Sequence, residues 1–184
     1  MRAGSLADLL AGDVLDVAAG LLGWTLESTI GGVTTSVVIT ETEAYAGPDD
    51  PASHAFRGLT KRNQAMFEDA GALYVYRSYG IHWCMNVVVG ERGLPHAVLL
   101  RGGDPLVGVS EMVRRRGREI DVSNGPGKLC QALGVTGELD GSSVRTGPIR
   151  LVPGPGLSGR TVSKTPRVGI SKAADRPWRF IAAG

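Results

Sequence analysis

Three β-prone runs, Ala72–Tyr79, Ile81–Val89 and His96–Arg101, follow one another with no regular helix between them. Parallel neighbours in a sheet need a crossover of a dozen or more residues, usually a helix. This spacing argues against a doubly wound parallel sheet and for a mixed, mainly antiparallel one. The first two runs join tightly at Tyr79-Gly80. Trp24–Ile30 and Val33–Glu41 flank Gly31-Gly32 and read as a second hairpin. Further strands are expected at Pro148–Pro153, Arg167–Ser171 and Trp178–Ala182. Asp13 is placed to cap a helix whose apolar face is Val14, Leu15, Val17, Ala18, Leu21 and Leu22, with Gly23 ending it. Asp104-Pro105 looks like an N-cap and first helical residue opening a helix to about Arg116. Another helix is expected over Gly127–Leu133, closed by Gly134, and a short helical stretch over Asn63–Glu68 after a long loop at 46–61. The expected fold class is α+β. One domain over 1–184 carries a curved, mainly antiparallel sheet with surrounding helices and a protruding β-hairpin, and residues 1–12 are loosely ordered.

Composition removes several function classes. With 42% hydrophobic and 21% charged residues the chain can bury a core. No apolar run approaches the ~20 residues of a membrane span. Asp8 and Gly12 interrupt the early leucines, so no secretory signal is read and a cytoplasmic location is expected. Cys84 and Cys130 sit in apolar stretches without zinc spacing and read as buried thiols. The H-x-E and P-C-x-x-C signatures of zinc deaminases are absent. His54, His82 and His96 give no ligand pattern, so a metal-dependent hydrolase is disfavoured and no metal is expected.

Charge is unevenly spread. Residues 1–50 hold one basic residue against eight acidic ones, a net −7, so with +2 overall the remainder carries +9. The stretch 160–179 has Arg160, Lys164, Arg167, Lys172, Arg176 and Arg179 against Asp175 alone. Such a stretch suits a phosphate-binding face, or scattered surface charge equally well.

Three segments carry residues that pure structure explains poorly. In Glu41-Thr42-Glu43-Ala44-Tyr45 the strand period puts both carboxylates and the tyrosine on one face. That face is either a solvated edge or a cleft in which crowding makes a carboxylate useful as a base. Residues 73–86 hold Tyr74, Tyr76, Tyr79 and Trp83. Tyr74 and Trp83 suit a core, whereas a tyrosine beside Gly80 at a hairpin tip suits a wedge that enters a base stack. His54 stands alone in the long loop. Gly125-Pro126-Gly127-Lys128 before a helix could offer N–H groups and an ammonium to a phosphate, but it lacks the Ser or Thr of a Walker loop.

Together, ETEAYxGPxDxxxH, RN, LYVYxxYGxxxCMN, VLLR and GPxKLCQALG closely resemble the alkyladenine (3-methyladenine) DNA glycosylase family, in order from about Asp13 to Ile181. The resemblance implies a fold similar to the C-terminal domain of methionyl-tRNA formyltransferases. It implies a monofunctional base-excision enzyme that hydrolyses the N-glycosidic bond of a flipped-out alkylated or deaminated purine and leaves an abasic site. The partner it implies is double-stranded DNA with a damaged purine. No cofactor, membrane or obligate protein partner is expected, and a monomer is. Glu43 matches the general base and Arg101 the arginine that holds base and water. Tyr45 and Tyr76 match the aromatics that sandwich the base, and His54 the third wall. Asn86 matches the pocket-floor asparagine that excludes normal guanine, and Tyr79 the intercalating wedge. Lys128, Gly127 and Arg114 are candidate contacts to the DNA backbone, and no lysine in these motifs suits Schiff-base lyase chemistry. His82-Trp83 and Ser53 depart from the family's usual residues beside wedge and pocket. A non-catalytic binder of damaged DNA or RNA is the competing class. Joint presence of Glu43, Arg101, Tyr45, His54 and Asn86 argues against it, because a binder needs no buried carboxylate.

Overall fold

The computed structural model describes residues 5–184. Its sheet is organised by one long strand, β2 (Thr35–Tyr45), which lies against β5 (His96–Val107) along one edge. The other edge of β2 is divided. Its first part pairs with β1 (Thr25–Ser28), and Glu41–Glu43 pair with β8 (Arg179–Ala183). Beyond β5 come β4 (His82–Val89) and then β3 (Leu73–Ser78), while β1 continues to β6 (Ile149–Val152) and β8 to β7 (Thr161–Thr165). All these pairings are antiparallel, so the architecture is the expected α+β arrangement of a curved sheet with helices. The helices are α1 (Leu6–Leu10), α2 (Val14–Gly20), α3 (Val109–Arg116) and α4 (Pro126–Leu133). Asp13 caps α2 by accepting from Leu15 N at 2.9 Å. Ser5 and Asp8 close α1 with a reciprocal capping box, within the stretch expected to be loose, whose first four residues lie outside those described.

Strict alternation along the strands gives the sheet two different faces. Leu73 and Val75, Met85, Val87 and Val89, Val98 and Leu100, and Ala44 face α2 and α4, where Val17, Leu21, Leu129 and Leu133 complete the main core. Thr42 ties this face to α2 by donating Oγ1 to Ala18 O at 2.7 Å. The intervening residues Tyr74, Val88 and Ala97 join Ala55, Ala65 and Met66 in a smaller cluster under the long loop. Alternation places Glu41, Glu43, Tyr45, Tyr76, Asn86 and Leu99 on this second face.

One helix and one strand expectation are corrected. Asp104-Pro105 does not start a helix: both residues belong to β5, opposite Val38 and Val37, and α3 begins only at Val109 after left-handed Gly108. The free edge of β2 supplies partners along this stretch, and ladder bonds outweigh a local cap signal. β4 pairs only with His96–Leu99, so Pro105 lies where β5 has an open edge, which tolerates a residue without an N–H. Arg167–Ser171 is not a strand but irregular chain, interrupted by Gly169 at φ 76°. β7 was not anticipated, because an exposed edge strand of sequence TVSKT has little apolar alternation to betray it.

Candidate active site

Two irregularities in the β2–β5 ladder shape the site. Ile39 pairs with Gly103, Glu41 with Gly102 and Thr42 with Leu100, which leaves Thr40 and Arg101 as the extra residues of opposed bulges. A bulge re-aims its side chains. Arg101 Nε then lies 2.8 Å from Glu41 Oε1 and 3.4 Å from Glu43 Oε1. Glu43 is fully buried. Tyr45 donates its hydroxyl to Glu43 Oε2 at 2.8 Å, and Val168 donates its backbone N–H to Oε1 at 2.8 Å. Burial and then the adjoining Glu43 charge push the Tyr45 hydroxyl far above its ordinary range, so it remains a donor.

Above this carboxylate opens a cavity of about 390 Å³, within the usual ~300–1,000 Å³ of small-molecule sites. Tyr45, His54, Tyr76, Tyr79, Asn86 and Arg101 all line it. Glu43 does not line it; it lies beneath, bonded to two residues that do, Tyr45 and Val168. His54 packs edge-on against Tyr76, ring centroids 4.5 Å apart, and its Nδ1 is 2.8 Å from the Tyr74 hydroxyl. Burial pushes the Tyr74 hydroxyl up to about 12. Loss of solvation and then nearby Arg62 push His54 below its usual range, which favours neutral imidazole at neutral pH. Asn63 fixes this loop by donating Nδ2 to the carbonyls of His54 and Gly58, both at 3.0 Å. Asn86, 5% exposed, donates its amide to Tyr74 O at 3.1 Å. Tyr79 is different in kind: 87% exposed, at φ 51° in the β3–β4 turn beside Gly80 at φ 68°. An apolar ring held outward in the left-handed region is not packing against this protein.

The suggested backbone contacts are not brought together in this way. Pro126 of α4 reaches the cavity, and Gly127 packs against His82, with no room for a Cβ. Lys128 is bonded to Asn124 at 3.0 Å. Arg114 is held by Glu111 on α3 and is not among the cavity residues. By contrast, among the described residues Arg57, Lys61, Arg62 and Arg77 have no acidic group within ion-pair distance, and Arg62 and Arg77 line the cavity.

Sequence reasoning missed the arginines that build the site from the C-terminal third. Arg167 and Asp50 form a fully buried ion pair, with Nη2 to Oδ1 at 2.8 Å. The guanidinium lies over the rings of Tyr45 at 4.6 Å and Trp178 at 5.0 Å, and also donates to Ala44 O at 2.9 Å. Arg179 Nε donates to Glu41 at 2.6 Å, and Arg160 pairs with Asp104. Half of the six basic residues of the stretch 160–179 are therefore paired with acids of the protein itself, Arg167 in full burial and Arg160 at the surface. The only sequence signal was the unusual density of arginine facing the acids of β2.

The model of the methylpurine-DNA glycosylase family matches residues 8–184. A protein of Agrobacterium fabrum is 50% identical over 175 residues, covering 94% of this chain and 85% of its own. One of Methanoculleus marisnigri is 48% identical over 177 residues, covering 94% and 91%. One of Frankia casuarinae is 47% identical over 184 residues, covering 93% and 85%. All three are named, provisionally, as 3-methyladenine DNA glycosylases. With the family matched across almost the whole chain and relatives at this identity, the chain belongs to the methylpurine-DNA glycosylase family.

Proposed function

We propose that this DNA glycosylase, a hydrolase of N-glycosyl bonds, acts on an alkylated or deaminated purine rotated out of the duplex, and that Glu43 activates the attacking water. The observation that carries this reading is a fully buried carboxylate directly beneath an aromatic-walled cavity that has an outward tyrosine at its lip. In the reaction the water oxygen bonds to C1′ of the sugar, and the C1′–N bond breaks with its electron pair going to the purine. Glu43 takes the water proton. A carboxylate near an oxocarbenium-like sugar also stabilises the developing positive charge. Arg101 spends only Nε on the two glutamates, so its terminal nitrogens remain to orient the water at the cavity wall.

Tyr45 and Tyr76 stack on the base, worth ~1–3 kcal/mol per stacked base. A cationic alkylpurine gains further from electron-rich rings and leaves as a neutral base. A neutral lesion such as hypoxanthine takes its proton from solvent. His54 closes the third side, and Asn86 at the floor disfavours normal guanine by collision with its 2-amino group, a penalty that cationic 7-methylguanine offsets by leaving far more readily. Tyr79 fills the gap left in the duplex. Among the described residues no lysine lines the cavity, so the enzyme is monofunctional and leaves an abasic site. It works as a monomer, and the whole of 1–184 serves as one glycosylase unit. Among the described residues no helix is long and apolar enough to cross a membrane. The test is release of free base from duplexes carrying one 3-methyladenine, 7-methylguanine, hypoxanthine or ethenoadenine. At least one is expected to give free purine and an alkali-labile strand. Tight binding of every lesion duplex with no purine released would replace this reading with a damage-binding module.

The phosphates flanking the extruded nucleotide are met by the unpaired cations of loop 57–62, with Gly127 and Lys128, which follow the cavity residue Pro126, as further contacts. Each phosphate contact adds ~0.9 to the slope of log affinity against log salt. Arg57→Ala/Lys61→Ala is expected to flatten that slope by about 2, equally for damaged and undamaged duplex. An unchanged slope would remove loop 57–62 from the interface. Arg114→Ala, whose arginine is already held by Glu111, is expected to leave the slope unchanged.

A further inference from the structure

The Glu-Thr-Glu segment sets two carboxylates on one strand face, yet only one lies under the cavity. The second, Glu41, has no role in the chemistry above, and nothing in its position is idle. Its Oε1 alone receives both Arg101 Nε at 2.8 Å and Arg179 Nε at 2.6 Å. Burial opposes its ionisation, but the hydrogen bonds from Arg179 and Arg101 outweigh this and hold its carboxyl below the ordinary range. Arg179 stands directly opposite Glu43 in the β2–β8 register, but its guanidinium is bonded to Glu41. Arg101 is shared unequally, 2.8 Å from Glu41 against 3.4 Å from Glu43.

We infer that Glu41 and Arg179 are positioning residues for the Glu43-dependent step: their pair keeps the two-acid, two-arginine cluster neutral and draws Arg101 away from Glu43. This rests on the reading of Glu43 as the water-activating base. Without Glu41, two arginines face one carboxylate. Both would turn to Glu43, and the site would gain one positive charge beside the group that must accept a proton. The effect is a weaker base, because a nearby cation favours the ionised carboxylate over its protonated form.

The other groups facing Glu43 do not supply this balance. On its own strand Tyr45 is neutral, and from the irregular chain at 167–170 Arg167 is matched by buried Asp50. On the β3–β4 side Tyr76 and Cys84 are both pushed above their ordinary ranges, chiefly by burial, and stay neutral. Across the cavity His54 is pushed below its ordinary range by burial and then by Arg62.

The test is the pH dependence of single-turnover base release at saturating enzyme, on a 7-methylguanine duplex whose cationic base needs no proton. It is run in wild-type and His54→Gln backgrounds, so that the histidine cannot supply the acid limb. Glu41→Gln is nearly isosteric. It is expected to move the acid limb to lower pH by about one unit and to lower the plateau rate roughly threefold to tenfold, with DNA affinity unchanged. Arg179→Gln moves the limb the opposite way. Glu41→Gln/Arg179→Gln, which restores neutrality while removing more hydrogen bonds, returns the limb to within a few tenths of a unit of wild type. A merely structural role predicts that the double variant is worse than either single one, and that result overturns the inference. So does a wild-type rate with no acid limb over the pH range in which the protein stays folded. If instead Glu43→Gln releases base as fast as wild type, the function reading itself fails and this one falls with it. Loss in Glu43→Gln with an unmoved limb in Glu41→Gln overturns only the counter-pair.

Discussion

Arg167→Met is expected to destabilise the protein by about 3–5 kcal/mol, the usual result of removing one partner of a buried ion pair. Asp50 would be left without its cation, with neither side chain exposed to solvent. For a chain of this size each kcal/mol lowers Tm by ~2–4 °C, so a fall on the order of 10 °C should appear in a thermal melt. The loss is not only electrostatic. The guanidinium also lies over the rings of Tyr45 and Trp178 and donates to the carbonyl of Ala44. It thereby anchors the residue before Val168, whose N–H holds Glu43. Base release is expected to fall together with stability. The control is Asp50→Asn/Arg167→Met, which removes the stranded charge and should recover part of the lost stability although it breaks more contacts. A single variant as stable as wild type, or a double variant less stable than the sum of the two singles, would show that the pair does not hold this region.

The contrast between that arginine and the pocket residues shows what a sequence displays and what it hides. A strand's period of two put Glu41, Glu43 and Tyr45 on one face from spacing alone, and the outward tyrosine beside Gly80 was legible from turn chemistry. In both cases the relevant neighbours lie within a few residues. Whether that face was solvent or cleft was not legible, because the answer depends on β8 and on residues 167–170, more than 120 positions away. For the same reason Arg167 and Arg179 were read as part of a basic surface: charge is visible in a sequence, but a partner across the fold is not. Tyr74 suited the core and is buried there, yet its hydroxyl also reaches His54, a function its aromatic ring concealed. The helix expected at Asp104-Pro105 failed because a local cap signal competed with a free strand edge, and the edge supplied the hydrogen bonds.

The second large effect concerns Glu43. A general base contributes typically 10²–10⁴-fold, and Glu43 is given a share in stabilising the sugar cation as well. Glu43→Gln keeps the shape and can still accept from Tyr45, but it cannot take a proton from water. Its amide would also face the Val168 N–H or the Tyr45 hydroxyl donor to donor, a modest structural cost that a melt can separate from catalysis. The cavity walls formed by Tyr45, Tyr76, His54 and Asn86 are untouched, so a flipped lesion should bind as before. The most direct measurement is therefore single-turnover release of purine from one lesion duplex by wild type and Glu43→Gln, with binding of the same duplex measured alongside. The expected result is release by wild type, a loss of about 10³-fold or more in the variant, and affinity within a few-fold. A Glu43→Gln enzyme that releases the purine at the wild-type rate would contradict the assignment of the buried carboxylate as the hydrolytic centre.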